Sequence, residues 1–175
     1  PPIPVARLRA EGRLLELRAL DLCFTREEGA DFLNAQLGLG LGDETLDVLH
    51  ERTEGWPAGV YLASLSVRHV ADADGFVADF DGSNRHVADY LTEVALGSLD
   101  ARGRDFLLQT SILDWFSAPL CAAVTGRRGS AARLADLERA NLFLIPLDDR
   151  RERYRYHQLF DDLLRAQLVL REPEL

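Results

Sequence analysis

The chain contains no lysine: all 20 of its basic residues are arginine. A nucleotide-binding P-loop uses a lysine to reach the β- and γ-phosphates of its ligand. These 175 residues cannot supply one, so ATP turnover by this chain alone is not expected. Cysteine is scarce too. Cys23 and Cys121 lie far apart among apolar neighbours with no C-x-x-C pair, which argues against a zinc site and reads as two buried thiols. No apolar run approaches the ~18 residues needed to span a bilayer. The opening PPIPVARLRAEG has no continuous apolar stretch of the signal-peptide kind. The expected setting is therefore cytoplasmic, with no membrane contact. Positive charge is short in the first part. Residues 1–98 carry eight Arg against seventeen Asp and Glu, and residues 99–171 carry twelve against ten. The formal net charge of −9 gives a field that repels nucleic-acid backbones.

What is present suits a soluble globular chain: 47% hydrophobic and 28% charged residues, enough for one ordinary domain or two small ones. Residues 13–18, RLLELR, read as a short strand. Thr25 opens a helix, and Glu28 completes a capping box three residues on. GLGLG at 38–42 closes that helix as a C-cap; without a preceding strand it does not read as a phosphate loop. Asp43 is expected to cap the next helix. Gly55 supplies the left-handed turn that ends it, and Pro57 fits the first turn of its successor. That successor, AGVYLASLSVRHV, is apolar nearly all round, so it is buried on several sides. A short helix around Phe76 and Phe80 follows, and Asn84 caps RHVADYLTEVALGSL.

Beyond a weak boundary near 97–100 the rhythm changes. Helices are expected at about 100–112, at 117–125 with Ser117 as cap, and at 130–140 opened by Ser130. Two alternating runs, LFLIPLD and RYRYH, then flank the charged turn DRRE. Three helices and a β-hairpin is the order of a winged helix. A last helix begins near His157. The expected fold class is mainly α: a helical bundle followed by a winged helix (three helices plus β-hairpin) and a C-terminal helix.

The segments TEGWPAGVYLASLS, RHVADYL, RDFLLQTSILDWFSAPLCAAVTG, LERANLFLIPLDD and YRYHQLFDDLLR closely resemble the MalT-like, large ATP-binding regulators of the LuxR family. These are bacterial transcription activators of the signal-transduction ATPase class. The resemblance covers essentially the whole chain, in the family's order and spacing, and implies a fragment. In such proteins a P-loop domain precedes a small helical domain and a winged helix; a superhelical repeat sensor and a C-terminal helix-turn-helix follow. By this resemblance residues 1–24 are the tail of the nucleotide-binding sheet, 25–98 the helical domain, and 99–175 the winged helix with the start of a linker. The implied partners are the upstream P-loop domain, the downstream repeat sensor and an adenine nucleotide. ATP or ADP is held by the parent and not firmly by this fragment. DNA is contacted only through a domain outside this chain. Cys23 departs from the pattern, which has a basic residue after DL.

The resemblance assigns roles at two places. Gly55, Trp56 and Pro57 match a Gly-x-Pro motif whose proline packs against the adenine ring; on the residues alone, the same three are a helix junction. His157, in Tyr156-His157-Gln158, matches a histidine that contacts the β-phosphate of ADP. Plant and animal members carry it as Met-His-Asp, so here the histidine is kept and the acid is not. A helix N-terminus favours an anion, and an imidazole there can donate to a phosphate oxygen. On the residues alone His157 is a hydrogen-bonded structural histidine at a strand–helix corner. His50 and His69 have no i+4 partner for a metal, and no chemistry is assigned to His86. Asp148–Asp149 reads as a turn and Asp161–Asp162 as an exposed helix face.

The expected function is an arm that senses nucleotide state and closes over ADP when inactive. The alternative is a DNA-binding winged helix. Its third helix, SAARLADLERA, has no net charge, where a recognition helix brings an excess of Arg, Lys, Asn or Gln. The basic end of DDRRERYR keeps that alternative open.

Overall fold

The computed structural model describes residues 3–17, 19–70 and 72–171, with the backbone alone at Ala19 and Leu20. Among them are ten helices and a single two-stranded sheet. Helix α1 (Val5–Ala10) is short, exposed and unmarked by any sequence signal. The expected strand at 13–18 does not form. Residues 13–17 are neither helix nor strand, Leu15 and Leu17 are 85% and 67% exposed, and residue 18 lies outside the described residues. A strand exists by pairing, and among the described residues none lies alongside to complete its hydrogen bonds.

Helix α2 (Arg26–Ala30) begins on the expected capping box. Glu28 N donates to Thr25 Oγ1 at 3.2 Å, and Thr25 N donates to Glu28 Oε2 at 2.8 Å. The helix widens into π-type turns over Asp31–Gln36 and ends at Gly38, whose φ is 70°. Asn34 pins the following loop through both its amide atoms, to Leu41 O at 2.9 Å and from Leu41 N at 2.8 Å. Helix α3 (Asp43–Thr53) is capped by Gly42, one residue before the expected Asp43. Asp43 sits in the first turn instead, where its charge suits the helix dipole, and with Asp47 it holds Arg26 at 2.8 and 2.7 Å.

Helix α4 (Pro57–Val67) runs through the middle and buries Val60, Ala63, Ser64 and Val67, as its all-round apolar pattern requires. Helix α5 (Ala73–Ala78) is capped by Asp72, and α6 (Arg85–Leu91) runs on as π-type turns over Thr92–Leu96. Asn84 occupies the expected cap of α6 but makes no capping bond; its Oδ1 accepts from Ser66 Oγ at 3.1 Å, tying α6 to α4.

The remaining elements build the winged helix. Helix α7 (Ala101–Thr110) starts on Asp100, whose Oδ1 accepts from Gly103 N at 2.7 Å. Helix α8 (Ala118–Thr125) carries its proline in the first turn, and α9 (Ser130–Arg139) is capped by Gly129 at φ 91° rather than by Ser130. Strands β1 (Leu144–Pro146) and β2 (Tyr154–Tyr156) pair antiparallel, Leu144 opposite Tyr156. Phe116 adds a bridge to Tyr154, with reciprocal bonds of 2.8 and 2.9 Å. Asp148 closes the wing turn, accepting from Glu152 N and Arg153 N at 3.0 and 2.9 Å.

Helix α10 (Gln158–Arg171) joins the two halves. It packs on α7 of the winged helix and on α3 and α6 of the bundle, burying Leu159, Phe160, Leu163 and Leu164. Each such side chain contributes about 1.5–3 kcal/mol through removal from water. The turn before α6 passes directly against α10. Gly82 N donates to Asp162 Oδ2 at 3.3 Å, and a Cβ at position 82 would stand 1.7 Å from Leu159 O. A continuous core therefore spans both halves, from Leu33 to Leu168. Among the described residues no helix is long and apolar enough to cross a membrane.

Candidate functional site

The site begins where α3 stops. Two successive residues, Glu54 at φ 50° and Gly55 at φ 69°, adopt the left-handed conformation. Glycine is required at 55: a Cβ would fall 2.3 Å from Phe24 O, and Phe24 N donates to Gly55 O at 2.8 Å. Glu54 carries a Cβ and bears the left-handed penalty of about 1 kcal/mol. The chain then turns through Trp56, and Pro57 opens α4 in the first-turn position where its missing N–H is harmless. The Trp56 ring folds back over Gly59, where a Cβ would sit 2.7 Å from Trp56 Cε3. Its other faces meet Tyr90 at 5.6 Å, Phe143 at 5.1 Å and His157 at 5.7 Å between centroids. Phe143 is itself left-handed, at φ 53°, an outlier for a bulky residue. Its carbonyl accepts from His157 N at 2.9 Å.

His157 stands at the head of α10 and is 8% exposed. Its Nε2 lies 3.0 Å from Thr53 O, 104 residues away. A carbonyl only accepts, so Nε2 carries the proton. Nδ1 is sealed from solvent and has no partner among the described residues. Burial pulls the imidazole below its usual range, against the opposing pull of Glu54 and the Thr53 bond. The ring is therefore neutral near pH 7, with a bare lone pair on Nδ1.

Glu54 supplies the second tie. Arg155 grips it with a two-pronged fork, Nη1 to Oε1 at 2.8 Å and Nη2 to Oε2 at 2.7 Å. Gln158 N, the first backbone donor of α10, also gives to Oε1 at 2.8 Å. Burial works against the carboxylate charge, but the Arg155 and Gln158 bonds outweigh it and hold Glu54 below the ordinary carboxylate range. Strand β2 explains why Arg155 reaches it. Tyr154 and Tyr156 point into the winged-helix core, so the residue between them faces outward, onto the end of α3.

An open cleft of about 400 Å³ runs past this junction, with Glu51, Glu54, Asp114 and Asp161 along it and Arg155 at one side. Asp161 and Asp162 are not on an exposed face, as the sequence suggested: both are half-buried. Burial pushes the Asp161 carboxyl up to about 6, although Arg165 bonds its Oδ2 at 2.8 Å. The reason is that α10 packs on both halves and leaves little free face.

Gly55, Trp56 and Pro57 are thus brought together with His157. His50 lies near the same turn, and His69 and His86 are exposed. Cys121 is buried, its thiol pushed up to about 11 by that burial, whereas Cys23 is only half-buried, beside Gly55. Sequence reasoning missed Glu54, Arg155, Phe143 and Gly59. Only Arg155 carried a signal, in the Tyr-Arg-Tyr alternation. On α9 the exposed residues are Ala131, Ala132 and Ala135, with Asp136 and Arg139 paired to each other. Such a surface offers few donors to base edges. Among the described residues no set of three or more His, Cys, Asp or Glu could hold a metal ion.

Known proteins match along the whole length. Residues 91–175 match the MalT winged helix domain. The HTH-type transcriptional regulator MalT of Vibrio cholerae is 34% identical over 178 residues, covering 99% of this chain. Its counterpart in Klebsiella pneumoniae is 34% identical over 181 residues, covering all of it. The serine/threonine-protein kinase PknK of Mycobacterium tuberculosis is 33% identical over 166 residues, covering 95%. The chain spans about a fifth of the length of these MalT relatives and 15% of PknK. Residues 91–175 are thus similar to the MalT winged helix domain, and the chain as a whole is a MalT-like segment.

Proposed function

We propose that this chain is the nucleotide-sensing arm of a MalT-type transcription regulator, closing over ADP held by an upstream P-loop domain in the inactive state. The observation that carries this reading is the contact between Trp56 and His157, beside a buried Nδ1 that no group among the described residues satisfies. Pro57 supports it, since a first-turn proline presents a rigid apolar face suited to a planar base. A nucleotide would supply negative charge at the head of α10, where the helix dipole favours it.

The chain's own residues set the terms. Nε2 of His157 is committed to Thr53 O, so only Nδ1 is left for a phosphate oxygen. That oxygen accepts, so Nδ1 must first take up a proton. Closure over ADP is then linked to proton uptake by His157. One charge-assisted hydrogen bond is worth about 1.5–3 kcal/mol, which moves a two-state equilibrium about tenfold or more. A kinase, PknK, carries a similar segment, which supports a regulatory arm over a DNA reader.

The test is Pro57→Ala in the full-length parent. ADP affinity measured by calorimetry should fall while the melting temperature of this chain stays within about 2 °C, because the proline serves no helix hydrogen bond. A clear drop in melting temperature with unchanged affinity would make Pro57 a junction residue and nothing more.

A further inference from the structure

Three donors converge on one carboxylate at the head of α10. The Arg155 guanidinium gives two parallel bonds and Gln158 N gives a third, all between 2.7 and 2.8 Å. A guanidinium fork beside the free N–H of a helix N-terminus is the chemistry that receives a phosphate. The helix is 14 residues long. At the same terminus stands His157, 8% exposed, with its Nδ1 unpartnered among the described residues. The carboxylate arrives from elsewhere: Glu54 belongs to the end of α3, 101 residues before Arg155. It reaches the donors from a left-handed backbone, at φ 50°. Strain of this kind persists where surrounding contacts hold it in place. The nearest other acids, Glu51, Asp114 and Asp161, line the same cleft, so a free anion meets no welcome there while Glu54 stays.

We propose that Glu54 is an internal stand-in for a phosphate: its carboxylate fills an anion-receiving site made by Arg155 and the first turn of α10, and must leave before an anion of the phosphate class can bind. The inference rests on the nucleotide reading above and deepens it. Glu54 holds the bundle on α10 when no anion is present. An arriving anion takes over the same three donors and displaces the Glu54 carboxylate, while Thr53 O keeps its bond from His157 Nε2.

The probe is inorganic pyrophosphate, titrated calorimetrically into this chain at moderate salt. Glu54→Ala should bind it at least about tenfold more tightly than wild type, the ratio that one charge-assisted hydrogen bond commands. Adding Arg155→Ala to that variant should remove the gain. Equal affinity in Glu54→Ala and wild type overturns the proposal, as does a gain that survives loss of Arg155. If Glu54→Ala does not fold, Glu54→Gln keeps the shape and the acceptor for Gln158 N while dropping the charge. Its affinity must also rise, and an unchanged value is equally fatal. Pyrophosphate has no adenine. A gain here with no effect of Pro57→Ala on ADP in the parent would therefore leave the phosphate site standing and retire the nucleotide arm; the opposite pattern retires this inference alone.

Discussion

His157→Ala removes three things at once from the junction. It deletes the bond from Nε2 to Thr53 O at 3.0 Å, worth about 1 kcal/mol net. It strands the Thr53 carbonyl, which costs about 1–3 kcal/mol where water cannot reach it. It also opens a void beside Trp56 and Phe143, whose rings stand 5.7 and 6.0 Å from the imidazole, with the cavity cost that partial collapse leaves. Together these amount to about 3 kcal/mol. For a chain of this size that lowers Tm by about 6–12 °C, read by circular dichroism at pH 7.5. The pH dependence gives a second check. Burial lowers the folded-state pKa of His157, so below about pH 6.5 the unfolded chain binds the extra proton and the folded chain does not. Stability from this group is then present above that value and is lost as pH falls through it. The deficit of His157→Ala should be largest near pH 8 and narrow toward pH 5. A Tm within about 2 °C of wild type at pH 7.5, or a gap that widens on acidification, would refute the tie to Thr53.

Gly82→Ala should destabilise by more than the ~1–3 kcal/mol usual for overpacking, because the new Cβ meets backbone at 1.7 Å from Leu159 O and cannot be accommodated by a side-chain shift; an unchanged urea midpoint would contradict the close passage of the turn against α10. Asp161→Asn should act through charge. The folded carboxyl titrates at about 6, against an ordinary 3.8, so ionising it costs stability at neutral pH, and that cost fades as pH falls through 6 toward 4. The variant should be more stable than wild type at pH 7.5, even after losing the Arg165 pair, since Arg165 keeps Asp114 at 2.9 Å. The advantage should shrink at pH 6 and vanish near pH 4. No advantage at pH 7.5 would count against the burial of Asp161.

Local signals carried the helices well, because each is fixed by neighbours in sequence. Thr25 with Glu28, and Gly55 before Pro57, specify their turns through backbone chemistry that acts over three or four residues. The winged helix was legible for the same reason: Tyr154, Arg155 and Tyr156 alternate in the period of a strand. The segment 13–17 failed because a strand is decided by its partner, not by its own pattern. In the site, Trp56 and His157 could be picked out one by one, but their meeting depends on α10 crossing α3. Glu54 left no trace, since its part comes from a left-handed backbone and a partner 101 residues away. Phe143 is hidden likewise: nothing in LERANLF announces φ of 53° at a phenylalanine. Asp161 and Asp162 looked exposed because adjacent acids on an isolated helix would be, and packing on two sides removed that freedom.

The most direct measurement is the affinity of the full-length parent for ADP as a function of pH, for wild type and His157→Gln. The glutamine amide reaches Thr53 O in place of Nε2 but offers nothing where Nδ1 stands, so the fold is kept and the protonatable atom is lost. Glu54 and Arg155, the charged groups that face His157, are unchanged, and titration of ADP's own phosphate is common to both proteins. Wild type should bind ADP about tenfold more tightly than the variant near pH 6, with the difference closing toward pH 8 as the imidazole becomes harder to protonate. Superimposable curves for the two proteins across that range would contradict a role for His157 in holding the nucleotide.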